Sequence, residues 1–132
     1  MLKKTITYID YNGNERTETH YFNVSETEAM EMEMSVNGGL SESIKRIIET
    51  QNTPELIGIF KKLIHVSYGE KSADGRYFLK EDENGKLLVN KFKQTEAYNK
   101  LYMELATNAE AASNFVNGIL PDIKKPEAIK NI

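Results

Sequence analysis

The sequence predicts a mainly α-helical domain opened by an N-terminal β-hairpin, an α+β fold with about five helices. Three observations carry that prediction. Tyr98, Leu101, Tyr102 and Leu105 recur at i, i+3, i+4 and i+7, and Ala112, Phe115, Val116 and Ile119 repeat the spacing fourteen residues later. Each set paints one face of a helix. Ser25-x-x-Glu28 is a capping box heading another helix. Asn12-Gly13 separates two runs rich in Thr, Tyr, Ile and Phe, the pattern of a tight hairpin turn.

Taken in order, Thr5 to Tyr11 and Glu15 to Val24 form the hairpin, with Asn12-Gly13 supplying two positive-φ residues. A lone hairpin is marginal in water, so one face must lie on the helices that follow or on a neighbouring subunit. The Ser25/Glu28 box starts a helix from about Glu26 to Ser35, and Glu26 and Glu28 suit its positive end. Asn37-Gly38-Gly39 breaks it. Leu40, Ile44, Ile47 and Ile48 mark the inner face of a second helix ending near Gln51. Thr53-Pro54 caps and opens a third, whose stripe is Leu56, Phe60, Leu63 and Ile64 and whose stop is Gly69 in a left-handed conformation.

From Glu70 to Lys93 two turn signals, Asp74-Gly75 and Asn84-Gly85, leave two options open: a second small hairpin, or a loop entering a helix at Leu87. Thr107 and Glu110 form a capping-box pair between the last two helices, and Gly118 then Pro121 close the final one. The tail DIKKPEAIKNI has no sustained period. One domain over 1–121 is therefore expected, with 1–24 as hairpin, 25–121 as helices and 122–132 as a flexible C-terminal tail.

Bulk chemistry narrows function. The 132 residues contain no cysteine, which removes disulfides, thiolate metal sites and a cysteine nucleophile. Seventeen basic and 20 acidic residues give a net charge of −3, so phosphates meet no overall attractive field and no nucleic acid partner is expected. Met1 to Lys4 lacks the apolar core of a signal peptide, and no apolar run approaches membrane-spanning length, so neither secretion nor a membrane partner is expected.

No catalytic, metal or cofactor-binding residue stands out. His20 and His65 are far apart and in no two-ligand spacing, so both are read as ordinary boundary histidines. The serine elbow, the phosphate loop and the dinucleotide fingerprint are all missing. Asp74-Gly75-Arg76 reads as a turn. The protein is expected to be no enzyme.

The string QTEAYNKLYMELATNAEAASNFVNGILP, with YGEKSADGRYF from Tyr68 to Phe78, resembles the tail assembly chaperones of long-tailed, siphovirus-type bacteriophages. The resemblance extends back through the helix at Ser25 to the hairpin. It implies a protein that binds the tape measure protein in the host cytoplasm, keeps it soluble during tail morphogenesis, and leaves as the tail tube protein polymerises, with that protein as a candidate second partner. It also makes Asp74-Gly75-Arg76 a candidate interface edge. Two rivals imply different partners: a structural tail completion or connector protein, and a small phage protein that inhibits a host factor.

Met30, Met32 and Met34 alternate with glutamates along the first helix. At about 100° per residue, Ala29, Met32 and Val36 fall on one side, and Met30 and Met34 on another. Either the helix is sandwiched between hairpin and later helices, or one stripe of adaptable thioethers is free for a partner. The candidate partner-binding residues are thus Met30, Met32 and Met34, together with Tyr98, Tyr102 and Phe115. The hairpin and the double stripe also predict weak self-association. Light scattering across a wide concentration range is expected to show the apparent mass rising with concentration, and a constant monomer mass would refute it.

Overall fold

The computed structural model describes residues 1–35 and 53–121, with isolated helical positions at Glu42, Lys45, Arg46 and Glu49. The expected break at Asn37-Gly38-Gly39, Val36, the stripe Leu40, Ile44, Ile47 and Ile48, and the tail from Asp122 onward lie outside the described residues. What is described is an α+β fold, mainly helical, as the sequence pattern predicts.

Strands β1 (Leu2–Ile9) and β2 (Glu15–Phe22) pair antiparallel, from Leu2 opposite Phe22 to Ile9 opposite Glu15. Their turn is longer than the two-residue loop expected. The Gly13 N–H donates to the Asp10 carbonyl at 3.0 Å, and Asp10 and Asn14 close the loop at 2.8 Å, with Gly13 at φ 83°. This is the three-residue loop in which a turn is followed by a left-handed glycine. Asp10 selects it, because its Oδ1 accepts from the Asn12 and Asn14 N–H groups, both at 2.9 Å. The same bonds recur at Asp82-Glu83-Asn84-Gly85-Lys86, where Gly85 has φ 78°. Asp-x-Asn-Gly is therefore the operative signal, with the aspartate as informative as the Asn-Gly pair.

Alternation along the hairpin separates two faces. Ile6, Tyr8 and Phe22 are buried, while Thr5 with Thr19 and Thr7 with Thr17 form hydroxyl pairs across the outer face at 3.0 and 2.9 Å. The buried face lies on this chain's own helices. Helix α1 (Glu26–Ser35) begins as expected: the Glu28 N–H donates to Ser25 Oγ at 3.1 Å and the Ser25 N–H to Glu28 Oε1 at 2.9 Å.

Helix α2 (Thr53–Ser67) buries Phe60, Leu63 and Ile64 and runs directly into β3 (Tyr68–Lys71). Gly69 is no left-handed stop. It is a strand residue opposite Tyr21, and a Cβ there would stand 2.5 Å from the Leu79 carbonyl oxygen and 2.5 Å from the Phe78 ring. Glycine is required for close approach rather than for φ. Strand β4 (Phe78–Leu79) pairs with β3, giving one four-stranded sheet in the order β1-β2-β3-β4. A further bridge, Glu81 to Leu87, leads into the short helix α3 (Val89–Phe92). The segment left open between hairpin and helix entry contains both.

Helices α4 (Glu96–Thr107) and α5 (Ala109–Ile119) present the two predicted stripes inward, with Tyr102 half-buried and the other seven positions buried. The cap between them is Asn108, whose side chain accepts from the Ala111 N–H at 3.0 Å. Thr107 instead stays in α4 and donates its hydroxyl to the Met103 carbonyl at 2.6 Å. Gly118 likewise lies within α5. A Cβ there would come 2.8 Å from Leu2 Cδ1, so it admits β1 to the helix. The stop is Leu120, extended at φ −79° and ψ 145° ahead of Pro121.

Two glycines should respond with opposite sign. Gly69→Ala is expected to cost about 2 kcal/mol through overpacking. Gly58→Ala, in α2 with nothing within 4 Å of the added methyl, should gain roughly 0.5–1 kcal/mol. Urea unfolding of both variants checks the pair.

Candidate docking surface

The six candidate residues divide. Met30 and Met34, one helical turn apart, are 57% and 82% exposed, whereas Met32 is 8% exposed and packs inward with Ala29. Phe115 is buried and meets the Phe22 ring edge-on at 5.4 Å. Tyr98 is buried too, edge-on to Phe92 at 5.8 Å, with its hydroxyl 3.4 Å from His65 Nε2. Tyr102 is half-buried with its ring 5.9 Å from that of Tyr98. The structure therefore brings Met30 and Met34 together on a surface and sets Met32, Tyr98 and Phe115 in the core. On one helix, the sandwiched and free-stripe accounts each describe one methionine stripe.

Helix α1 is held by a three-way junction. Lys80 Nζ donates to Glu28 Oε1 at 2.7 Å, to Glu28 Oε2 at 2.8 Å and to the Val66 carbonyl at 2.6 Å. Burial opposes charge on Glu28, but the bonds from Lys80 and from Ser25 outweigh it and leave the carboxyl below its ordinary value. The cap of α1, the end of α2 and the strand β4 margin are thereby tied at one cation.

Near this junction lies a surface that sequence reasoning passed over. Leu79 and Leu87 are exposed beside Glu70, and Tyr68 stacks on Phe92 at 4.3 Å with 11° between planes. Burial pushes the Tyr68 phenol up to about 12, so it stays neutral. His20 lies 4.8 Å from the Phe92 ring, and burial lowers its pKa despite Glu18 nearby. The only hint in the sequence was apolar residues inside a turn-rich segment. At Asp74-Gly75-Arg76 the turn is built locally: Asp74 Oδ1 accepts from Ser72 Oγ at 2.7 Å and from the Arg76 N–H at 3.0 Å.

Among the described residues, no group of His, Asp and Glu is placed to hold a metal ion, and no helix is long and apolar enough to cross a membrane. The arrangement offers apolar contact and fixed charge. Comparison with known families decides between readings: the profile of the phage tail assembly chaperones matches residues 1–129. The chain belongs to that family. No curated protein and no solved structure matches it. The two stretches that carry the resemblance map to the β3-β4 hairpin and to the α4-α5 pair of this tail assembly chaperone.

The Glu28 junction generates a pH prediction. Because the folded carboxyl titrates below its ordinary value of 4.5, its contribution is present above that value and lost as pH falls through the lower, folded one. Glu28→Gln keeps a capping side chain but removes the charge. At neutral pH the variant should be about 1 kcal/mol less stable after allowance for solvent screening. The gap should close below pH 4.5 in denaturant titrations across the acid range.

Proposed function

We propose that this chaperone acts by binding and catalyses no reaction, and that its client is the phage tape measure protein. Several copies coat the client in the host cytoplasm, cover its apolar faces until tail tube protein polymerises around it, and leave before the virion is complete. The observation that carries this reading is the exposed pair Met30 and Met34 on a helix whose opposite side, Ala29 and Met32, is anchored in the core. Unbranched thioethers on a rigid mount adapt to varied apolar partners, as a protein that covers a long, repetitive client requires. Membership in the tail assembly chaperones supports a protein partner.

Co-expression with the tape measure gene tests the reading. The client should stay soluble and co-purify with the wild-type chain. The double variant Met30→Lys/Met34→Lys should reduce co-purification at least tenfold, about 1.4 kcal/mol, with an unchanged unfolding midpoint. Met32→Lys buries an unpaired charge and should instead cost about 3 kcal/mol of stability. An insoluble client beside the wild-type chain, or full co-purification with the double variant, would overturn the reading.

A further inference from the structure

We infer that the surface around Glu70 is a second docking site, which receives a basic amphipathic polypeptide segment by seating its apolar side chains against Leu79, Leu87 and Phe92 while its Lys or Arg groups pair with Glu70, Glu81 and Glu83. Three hollows meet there and share Glu70. One of them, of about 530 Å³, is walled by Tyr68, Leu87, Leu88 and Phe92, a size suited to large side chains. Leu87, on this hollow, and Leu79, on the neighbouring one, are 49% and 42% exposed. Covering them would contribute at the usual rate for apolar area.

Charge chooses the partner. Five carboxylates border the three hollows, against three lysines: Lys71, Lys86 and Lys91. Glu18 is engaged by Arg16, and Asp82 is engaged by the backbone of its own turn. Glu70, Glu81 and Glu83 belong to none of the ion pairs among the described residues. Carboxylates that outnumber lysines by two, three of them in no ion pair, beside exposed leucines favour a segment that brings both cations and apolar groups over an acidic one. His20 also lines the hollow walled by Tyr68 and Phe92, its Nε2 3.6 Å from Glu18 Oε1 and without a hydrogen-bond partner among the described residues. Lys80 fixes the site to α1, so the Glu70 surface and the Met30/Met34 stripe are held by one scaffold. The inference rests on the protein-binding reading above, under which the segment belongs to the client.

The test titrates the full chain, isotopically labelled for NMR, with a helical peptide of leucine and lysine, and with its counterpart in which glutamate replaces every lysine. The lysine peptide is expected to move the amide signals of His20, Glu70, Leu87 and Phe92 and to bind more weakly as salt rises. The triple variant Glu70→Gln/Glu81→Gln/Glu83→Gln should bind it about tenfold more weakly with an unchanged unfolding midpoint, since exposed pairs each contribute modestly. Leu87→Ser, also exposed, should weaken both the affinity and the signal changes. Equal affinity for the glutamate peptide, or signal changes confined to α1, would overturn the inference. So would movement of the same signals on concentrating the chain without peptide, which would assign the site to a second copy. Peptide binding beside an insoluble client would overturn the proposed client alone, whereas a soluble client beside an unbound peptide would overturn only this second site.

Discussion

Phe22 is the contact on which the rest of the architecture depends. Its fully buried ring meets Tyr68 at 5.6 Å, Phe92 at 6.0 Å and Phe115 at 5.4 Å, each edge-on. One side chain at the end of β2 therefore joins the third strand, the short helix α3 and the last helix. Edge-to-face aromatic contacts add stabilisation beyond buried area and restrict the angles at which the elements meet. The backbone reinforces the junction. The Asn23 N–H donates to the Ser67 carbonyl at 2.8 Å and the Val24 N–H to the Ile119 carbonyl at 2.9 Å, so the end of β2 is bonded to the ends of α2 and α5.

That junction determines how the candidate surfaces are displayed. Helix α1 begins four residues after Phe22, with Val24 buried and Ser25 capping, so its inward residues Ala29 and Met32 are directed into the same core. Met30 and Met34 are then exposed as a geometric consequence of helical rotation. Two apolar side chains exposed one turn apart form a small patch of the kind a protein partner can cover. Rigidity helps here, because a surface already fixed by core contacts loses little further conformational freedom when it binds.

The turns that join the strands perform a related task. Asp10 and Asp82 satisfy their loops by the same bonds, and Ser72 with Asp74 closes the β3-β4 hairpin. Polar side chains spent on their own backbone make short loops rigid. Glu70, Glu81 and Glu83 are not spent in this way, and that contrast separates the carboxylates that build the fold from those available to another chain.

The sequence by itself determined what depends on neighbours a few residues apart. The Ser25/Glu28 box, the stripes from Tyr98 to Leu105 and from Ala112 to Ile119, and the hairpin around Gly13 were legible, because capping and helical or strand periodicity act locally. The candidate site was legible only in part. The sequence showed that the first helix carries two methionine stripes, but not which would face solvent. Reading Tyr98 and Phe115 as partner contacts and Gly69 and Gly118 as helix stops placed at the surface or in loops what packing drew inward. Only the tertiary structure decided the joining of β3 and β4 to the hairpin, the seat of Lys80 on Glu28 fifty-two residues away, and the exposure of Met30 and Met34. Those outcomes depend on which distant surfaces meet, and the free energy of such a meeting leaves no periodic trace in the chain.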